Sequence, residues 1–228
     1  MSVSLTGRTA IVTGASRGIG LAIARALERE KMKLALISRS KPPRSVAGKF
    51  IACDFSDSAA IPGAVSLALE HLGRLDCVVN NAGVFLEKNA EEISLADWER
   101  VLRVNLTAPF LICRQTLPEL ARRRGRIVNV ISSSALQGYR GQAAYSASKH
   151  GFLGFARCLA IEGRSLGVHI HSLCPGGVET DLIKGTDLGR RLQGQPMIRA
   201  QDLAEIVVFL LKQPPNVDVP EMAIRRFG

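Results

Sequence analysis

Residues 13–20 read Thr-Gly-Ala-Ser-Arg-Gly-Ile-Gly, directly after the apolar, β-branched run Arg8–Thr13 and at the start of the helical pattern of Ile19–Arg29. Glycine allows a tight turn and a close approach of the backbone to a phosphate, while the start of a helix supplies N–H donors and positive potential. Glycine-rich turns are common, so the triplet alone is a weak signal. Its place between a strand and a helix, at the front of a βαβ unit, predicts a dinucleotide-binding turn.

Strands and helices alternate outward from this turn along the whole chain. The remaining predicted strands are Lys33–Ser38, Phe50–Asp54, Leu75–Val79, Gly125–Ile131, Val168–Leu173 and Met222–Arg225. The remaining predicted helices are Asp57–His71, about Ser94–Arg123, Ala143–Leu166 and Ala200–Lys212. Short links in such a pattern imply parallel strands joined by right-handed crossovers, with helices on both faces. The predicted fold is one doubly wound α/β domain over residues 1–228, with about seven strands in its parallel sheet.

Two stretches depart from this alternation. The link Arg39–Lys49 contains Pro42-Pro43, and because prolines remove donors and restrict φ, a full crossover helix is not expected there. The stretch Asp181–Pro196 is glycine-rich and polar and follows the sixth strand. Loops beyond the carboxyl ends of strands line the ligand crevice in such folds, so residues 181–196 are predicted to cover the substrate.

Composition narrows the class of protein. Hydrophobic residues make up 46% of the chain, which is enough for a full core. No run approaches the roughly 18 apolar residues that span a bilayer, and the first residues lack a signal-peptide pattern, so we expect a cytoplasmic protein without a membrane partner. The five cysteines are widely spaced and mostly lie in apolar runs, which predicts buried free thiols and no metal site.

The net charge of +10 raises the question of a nucleic-acid partner. The basic residues are spread along the chain, and no nucleic-acid-binding motif accompanies them. The densest cluster, Arg122–Arg124 with Arg126, lies where a predicted helix ends, and cations are favourable at that end of a helix. We therefore expect no nucleic acid; the alternatives are a soluble basic surface and an affinity for anionic substrates.

Tyr145 and Lys149 are four residues apart in a predicted helix, and Ser132 lies thirteen residues before the tyrosine. Positions i and i+4 share one face of a helix, so the lysine can favour the phenolate and ease proton transfer. A free tyrosine, with a pKa of about 10, is a poor acid–base catalyst. Taken alone, the pair is more often an exposed aromatic–cation contact; its companions favour catalysis.

Five separated motifs, in this order, resemble the short-chain dehydrogenase/reductases. They are the turn at residues 13–20, Asn80-Asn81-Ala82-Gly83, Asn105, Ser132 with Tyr145-x-x-x-Lys149, and Pro175-Gly176. The match covers nearly the whole chain. It implies a Rossmann-type sheet that binds a nicotinamide dinucleotide, and hydride exchange with a carbonyl or alcohol carbon.

The resemblance also implies which residues contact the cofactor. Those expected at the pyrophosphate are Gly14, Ser16, Gly18, Ile19 and Gly20. Those expected at the adenosine are Asp54, Phe55, Asn81, Ala82 and Gly83. Those expected at the nicotinamide and its ribose are Tyr145, Lys149, Pro175, Gly176, Val178 and Thr180.

The end of the second strand bears on the choice of dinucleotide. Proteins of this class that use NAD usually carry an acidic residue there, which binds the ribose 2′-hydroxyl. Here the sequence is Ser38-Arg39-Ser40. Arg39 and Arg17 could hold a 2′-phosphate through charge-assisted hydrogen bonds, so NADP(H) is favoured over NAD(H); the alternative is that both arginines are merely solvated.

The resemblance assigns the chemistry to four residues. In reduction, Tyr145 would protonate the developing alkoxide, Ser132 would hydrogen-bond the same oxygen, and Lys149 would keep the tyrosine acidic. Asn105 would anchor a water that links Lys149 to solvent. Ser133 and Ser134 share the run with Ser132, and the thirteen-residue spacing selects Ser132. The rival interpretation is an NADP(H)-binding sensor or scaffold with little turnover, but such a protein would be expected to lose the tyrosine or the lysine.

The substrate and partners are less narrowly defined. The sequence is most similar to the 3-oxoacyl-(acyl-carrier-protein) reductase group, in Gly-Arg-Ile-Val-Asn at 125–129 and Pro175-Gly176 with Val178-Glu179-Thr180. Arg123 stands at one position that docks an acidic carrier protein in that group, whereas the other basic position is Leu166. The short link after Arg39 also occurs in enzymes of other substrate types. The resemblance implies a homodimer or homotetramer, and the shortened carboxyl-terminal tail favours the dimer.

Overall fold

The fold is built around a parallel sheet. The structure is a computed structural model that describes residues 3–43 and 46–227. Within these residues seven strands pair in the order β3-β2-β1-β4-β5-β6-β7. The strands are β1 (Thr9–Thr13), β2 (Lys33–Ser38), β3 (Lys49–Ala52), β4 (Cys77–Asn80), β5 (Arg126–Val130), β6 (His169–Pro175) and β7 (Glu221–Ile224). Every pairing is parallel, as the strand–helix alternation predicted.

Helices cover both faces of the sheet. They are α1 (Gly18–Arg29), α2 (Ala60–Leu72), α3 (Leu95–Leu102), α4 (Ala108–Arg123), α5 (Ala143–Leu166), α6 (Asp187–Arg191) and α7 (Ala200–Leu211). Because side chains alternate along a strand, Val12 of β1 packs with α1 and α7, whereas Ile11 packs with α2, α4 and α5. The doubly wound α/β prediction is confirmed.

The ligand crevice of this fold follows from the strand order. β1 pairs with β2 on one side and with β4 on the other, so the chain reverses its direction of winding at β1. In open α/β sheets, ligands bind beyond the carboxyl ends of the strands at such a switch point. The residues that follow β1 and β4 therefore stand at the mouth of the crevice.

Most predicted elements form within a few residues of their expected bounds, and the differences have local causes. The long predicted helix is divided by a π-helical turn, Arg103–Thr107, and the Ser94 hydroxyl caps its start by accepting from the Asp97 N–H at 3.1 Å. No crossover helix forms between β2 and β3 in the described residues; Arg44 and Ser45 of that link lie outside them. The stretch 181–196, expected to be irregular, contains α6.

Two kinds of feature, a membrane-spanning helix and a metal-binding cluster, are missing from the residues that the structure describes. In the described part of the chain, no helix is long and apolar enough to cross a membrane. Within the same residues, no cluster of three or more histidine, cysteine, aspartate or glutamate side chains could hold a metal ion. The cysteines are all free thiols; four are buried as expected, but Cys158 is exposed on α5.

Candidate active site

Thr13, the last residue of β1, ties the glycine turn to the loop after β4. Its hydroxyl accepts from the backbone N–H groups of Asn81 at 2.9 Å and Ala82 at 3.1 Å, and donates to the Val79 carbonyl at 3.3 Å. The Asn81 amide donates in turn to the carbonyls of Thr13 and Gly14, at 3.0 and 3.3 Å. These bonds hold the two loops together on either side of the switch point.

The glycine turn needs its glycines for backbone shape and for space. Gly14 and Gly18 have φ values of +67° and +55°, in the left-handed region. A Cβ on Gly14 would lie 2.9 Å from the Ala82 Cα, and one on Gly20 would lie 2.3 Å from the Gly14 carbonyl oxygen. Any side chain at these positions would therefore push α1 away from the loop after β4.

A cavity of about 780 Å³ runs across the carboxyl ends of the strands. It is lined by almost all of the residues predicted for the site: Gly14, Ser16, Arg17, Gly18, Ile19, Arg39, Asp54, Phe55, Asn81, Ala82, Gly83, Ser132, Tyr145, Lys149, Pro175, Gly176, Val178 and Thr180. Two predicted residues lie behind the wall: Gly20 packs against the glycine turn, and Asn105 is buried beneath Gly83. The tertiary structure thus collects residues from every region that the motifs marked.

One end of the cavity is positively charged. Arg17 and Arg39 are both exposed and line it, and neither forms an ion pair with any carboxylate that the structure describes. Asp54 lies nearby, where hydrogen bonds from the backbone and hydroxyl of Ser56 lower its pKa and Arg39 lowers it further. Both hydrogen bonds from Ser56, at 2.9 and 2.8 Å, end on Oδ1 of that carboxylate, and Arg39 forms no ion pair with it.

The other end holds Tyr145 and Lys149 on the first turns of α5. Both are buried, at 7% and 3% exposure, and the Lys149 Nζ lies 5.6 Å from the centre of the Tyr145 ring. Burial raises the pKa of Tyr145 to about 12, and a hydrogen bond with Ser132 opposes this to a smaller extent. Burial lowers the pKa of Lys149 to about 8. From the sequence, only the attraction between the two groups could be considered. In the structure, desolvation has the larger effect on both pKa values.

Ser132 begins the tight turn that follows β5. Its hydroxyl accepts from the Ser134 N–H at 3.1 Å, while the Ser134 hydroxyl donates to the Gln142 side chain at 3.0 Å. Ser133 instead lies 3.3 Å from the phenol oxygen of Tyr139. Of the three serines, Ser132 is the one whose side chain acts on the Tyr145 phenol, where it lowers the pKa.

Asn105 lies in the π-helical turn, a feature that often marks functional sites. Its side-chain oxygen accepts from the Val84 N–H at 2.9 Å, and its amide donates to the Val84 carbonyl at 2.9 Å. The same amide donates to the Ser148 hydroxyl at 3.0 Å, and Ser148 donates to the Tyr145 carbonyl at 2.7 Å. Ser148 was not singled out from the sequence, and its link between Asn105 and Tyr145 emerges only from the structure.

Beside Tyr145 the cavity wall is largely apolar. The Phe85 ring meets the Tyr145 ring edge-on, with centroids 4.9 Å apart. Further apolar lining comes from Leu136 and from the stretch predicted to cover the substrate, through Leu182, Ile183, Leu188 and Leu192. None of these was singled out from the sequence, although Phe85 lies only two residues after the Asn-Ala-Gly motif. The wall suits an apolar group attached to the reacting carbon.

Comparison with known proteins bears directly on this arrangement. A family model described as short chain dehydrogenase matches residues 8–190, which includes the glycine turn, Ser132, Tyr145-x-x-x-Lys149 and the Pro175-Gly176 turn. The chain belongs to the short-chain dehydrogenase family.

Relatives of this short-chain dehydrogenase include a 3-oxoacyl-[acyl-carrier-protein] reductase of Synechocystis, 33% identical, with 92% of each chain covered. Among solved structures, a 3-ketoacyl-(acyl-carrier-protein) reductase from Brucella melitensis complexed with NADH is 28% identical, with a TM-score of 0.88 and 97% of each chain covered. An alcohol dehydrogenase from Thermococcus sibiricus complexed with 5-hydroxy-NADP is 29% identical, with a TM-score of 0.84 and 95% coverage of each chain. The relatives thus include enzymes seen with each type of nicotinamide dinucleotide.

Proposed function

We propose that this oxidoreductase is NADP(H)-dependent and interconverts a carbonyl and a secondary alcohol, with Tyr145 as the acid and base. The observation that carries the proposal is one continuous cavity. It has a buried Tyr145–Lys149 pair beside Ser132 at one end and two arginines free of carboxylate partners at the other. A phenol and an ammonium at the bottom of an apolar pocket suit proton transfer to or from an oxygen atom.

The described residues fit a nicotinamide dinucleotide. The first backbone N–H groups of α1 open onto the cavity next to Arg17, which provides for a pyrophosphate. Lys149 is buried, yet its ammonium meets no hydrogen-bond acceptor among the described side chains and carbonyls, so it can bind ribose hydroxyls. When bound, the nicotinamide supplies or accepts the hydride.

The proton path follows from the pKa values. With a pKa of about 12, the Tyr145 phenol keeps its proton at neutral pH and can donate it to a carbonyl oxygen during reduction. Ser132 would hydrogen-bond the same oxygen and hold it in place. The Lys149 ammonium would stabilise the phenolate that remains, and Asn105 would anchor a water behind it.

The positive end of the cavity supports NADP(H) over NAD(H). A 2′-phosphate brings up to two negative charges, which Arg39 and Arg17 can bind without first giving up an ion pair. Asp54 does not replace the missing acidic residue at the end of β2, because it follows the neighbouring strand β3 and its Oδ1 accepts from Ser56.

For the substrate, we propose a carbonyl compound with an apolar substituent, of which a 3-oxoacyl thioester is one form. The apolar wall around Leu188 and Leu192 supports the substituent, and the Synechocystis relative supports the thioester. Docking of an acyl carrier protein is a more specific proposal. Arg123, the basic residue expected to contact such a protein, is half exposed, but its guanidinium lies 3.6 Å from the Asp76 carboxylate. Comparing turnover of carrier-bound and free 3-oxoacyl thioesters tests it, and equal turnover would remove the carrier protein from the proposal.

We also propose that the protein forms a homodimer through α4 and α5. Phe110 on α4 and Ile161 on α5 are 39% and 70% exposed, and apolar side chains of this size favour a covered position. Light scattering at micromolar concentration should give twice the mass of the chain. A monomer would contradict the proposal.

The central experiment is a fluorescence titration with NADPH and NADH, in parallel with turnover of a panel of carbonyl compounds. Wild type and Tyr145→Phe should bind NADPH equally, and only wild type should turn over a carbonyl, with the variant reduced at least about 1,000-fold. Binding without turnover by wild type would favour a sensor or scaffold. Failure to bind either dinucleotide would overturn the cofactor site.

A further inference from the structure

Glu87, in the loop after β4, contacts the segment that covers the cavity. One carboxylate oxygen accepts from the Leu188 N–H at 2.8 Å, and the other lies 3.0 Å from a guanidinium nitrogen of Arg191. Both partners belong to α6, about a hundred positions further along the chain. The Glu87 side chain is only 11% exposed, so this contact is more shielded than a surface ion pair.

The base on which Glu87 stands is firmly held. The next residue, Lys88, donates its N–H to the Gly141 carbonyl at 2.8 Å, and its ammonium pairs with Asp97 at 2.7 Å. Gly141 has a φ of +73°, and a Cβ there would lie 3.3 Å from the Glu87 Cγ. Glycine at 141 therefore leaves room for the Glu87 side chain. Gly141 directly precedes Gln142, the N-cap residue of α5, the helix that carries Tyr145.

The helix that Glu87 holds forms part of the substrate wall. Leu188 and Leu192 of the α6 segment line the cavity, whereas Arg190 and Arg191 on the same segment are exposed. On the other side of the segment, Arg226 donates to the Gln195 side chain at 2.9 Å. The apolar wall is thus fixed by polar contacts at both of its ends.

We propose that Glu87 is a positioning and specificity-determining residue: it docks α6 so that Leu188 and Leu192 form one side of the substrate chamber at a set distance from Tyr145. This rests on the proposed function as regards the substrate, but the docking of α6 can be measured without turnover. Loss of the Glu87 contacts undocks α6 and weakens the binding of substrates with a long apolar substituent. Binding of the dinucleotide is unaffected, because none of the residues expected to contact it lies in α6.

The test is limited trypsin digestion of the folded protein, followed by mass spectrometry, with cleavage measured at the Lys184–Gly185 bond just before α6. Cleavage of a folded protein tracks the fraction of molecules in which the segment is open. Glu87→Gln and Arg191→Gln should each accelerate cleavage about three-fold, and the double variant should be no faster than either single one, because one ion pair is lost in all three. Glu87→Ala also loses the bond to Leu188 and should be about ten-fold faster.

Glu205→Gln is the matched control, because it removes the exposed ion pair with Arg29 at 2.6 Å between α7 and α1, in another part of the molecule. It should be cleaved at the wild-type rate. Wild-type cleavage of Glu87→Ala, or equal acceleration in Glu205→Gln, would overturn the proposal.

Turnover supplies the second measurement. Glu87→Ala should raise KM about ten-fold for a carbonyl compound with a long apolar chain, and change neither KM for a short one nor the Kd for NADPH. Faster cleavage with an unchanged KM for the long substrate would overturn the specificity role. If wild type turns over no carbonyl compound, the proposed function fails, while the cleavage rates still decide whether Glu87 docks α6.

Discussion

Lys149 places its ammonium nitrogen 5.6 Å from the centre of the Tyr145 ring, in a position that is 3% exposed. Burial has opposite effects on the two groups, because it disfavours the charged form of each: the pKa of the lysine falls to about 8 and that of the tyrosine rises to about 12. Between about pH 8 and pH 12, therefore, the Tyr145 phenol keeps its proton while the Lys149 side chain is a neutral amine.

This pair predicts the pH dependence of reduction. As the pH rises through about 8, Lys149 loses its proton and no longer stabilises the phenolate, while Tyr145 still carries the proton to be donated. With saturating NADPH, kcat should therefore fall with a midpoint near pH 8. Lys149→Met should be slow at every pH and lack this midpoint; a wild-type kcat that stays level from pH 7 to 10 would contradict the assignment.

Arg39 allows a test of cofactor preference at a single position. Arg39→Asp exchanges a cation for an anion beside the expected 2′-phosphate, so Kd for NADPH should rise at least about ten-fold while Kd for NADH changes little. Lys41→Asp makes the same change in charge two residues away, outside the cavity lining, and should leave the ratio of the two Kd values unchanged. Equal losses of NADPH affinity in both variants would indicate general electrostatics instead of a specific contact.

At the scale of elements, the π-helical turn Arg103–Thr107 connects three parts of the site. The turn lets Asn105 bond both backbone groups of Val84 and still reach Ser148 on α5. Ser148 is fully buried and passes the contact on to the Tyr145 carbonyl. The loop after β4, the turn and α5 are therefore held as one unit around Tyr145.

Ser148→Ala should loosen this unit without touching the ligand. The variant leaves the buried Asn105 amide short of an acceptor, so we expect kcat to fall about ten-fold with KM for NADPH unchanged, and unfolding to cost about 1–2 kcal/mol less. Ser146→Ala is the matched control, since its buried hydroxyl has no hydrogen-bond partner within the described chain. Kinetics and urea unfolding of both variants make the comparison; equal effects would show that only helix packing is disturbed.

At the scale of the whole molecule, a buried polar cluster near the amino ends of β5 and β6, away from the cavity, joins these strands to α7 and the segment after it. Arg126 at the start of β5 donates to the carbonyls of Leu210 and Gln213, at 3.2 and 2.6 Å. His171 of β6 lies with Nδ1 2.8 Å from the Val219 carbonyl and Nε2 3.4 Å from Arg126. A carbonyl can only accept, so Nδ1 carries the hydrogen and Nε2 is left to face the guanidinium, which requires a neutral ring.

This cluster predicts sensitivity to acid. Burial lowers the pKa of His171 from 6.5 to about 4, so between these values the unfolded chain binds a proton that the folded chain does not. Stability then falls as the pH drops, by up to about 1.4 kcal/mol per pH unit from this residue. Urea unfolding between pH 4 and 7 should show a smaller dependence on pH in His171→Gln than in wild type. Parallel curves for the two proteins would contradict the neutral buried ring.

Much of the fold could be predicted from local signals. The strand β2 and the helix α5 form with the bounds that periodicity predicted, and α3 begins directly after Ser94, where the long helix was predicted to start. These features depend on residues within a few positions of one another, so the sequence displays them directly. The candidate site residues were predicted for another reason: the motifs that carry them, from residues 13–20 to Pro175-Gly176, resemble those of the short-chain dehydrogenase/reductases.

The sequence by itself determined the strand–helix order, the glycine turn and the identities of the candidate cofactor-binding and acid–base residues that meet in the cavity. Only the tertiary structure decided the pKa values of Tyr145 and Lys149, the bond between Asn105 and Ser148, and the docking of α6 by Glu87. Desolvation and hydrogen bonds between residues 43 or 101 positions apart depend on how layers pack. Local periodicity carries no information about such distances, because it records which face of an element is apolar and not which distant side chain lies against it.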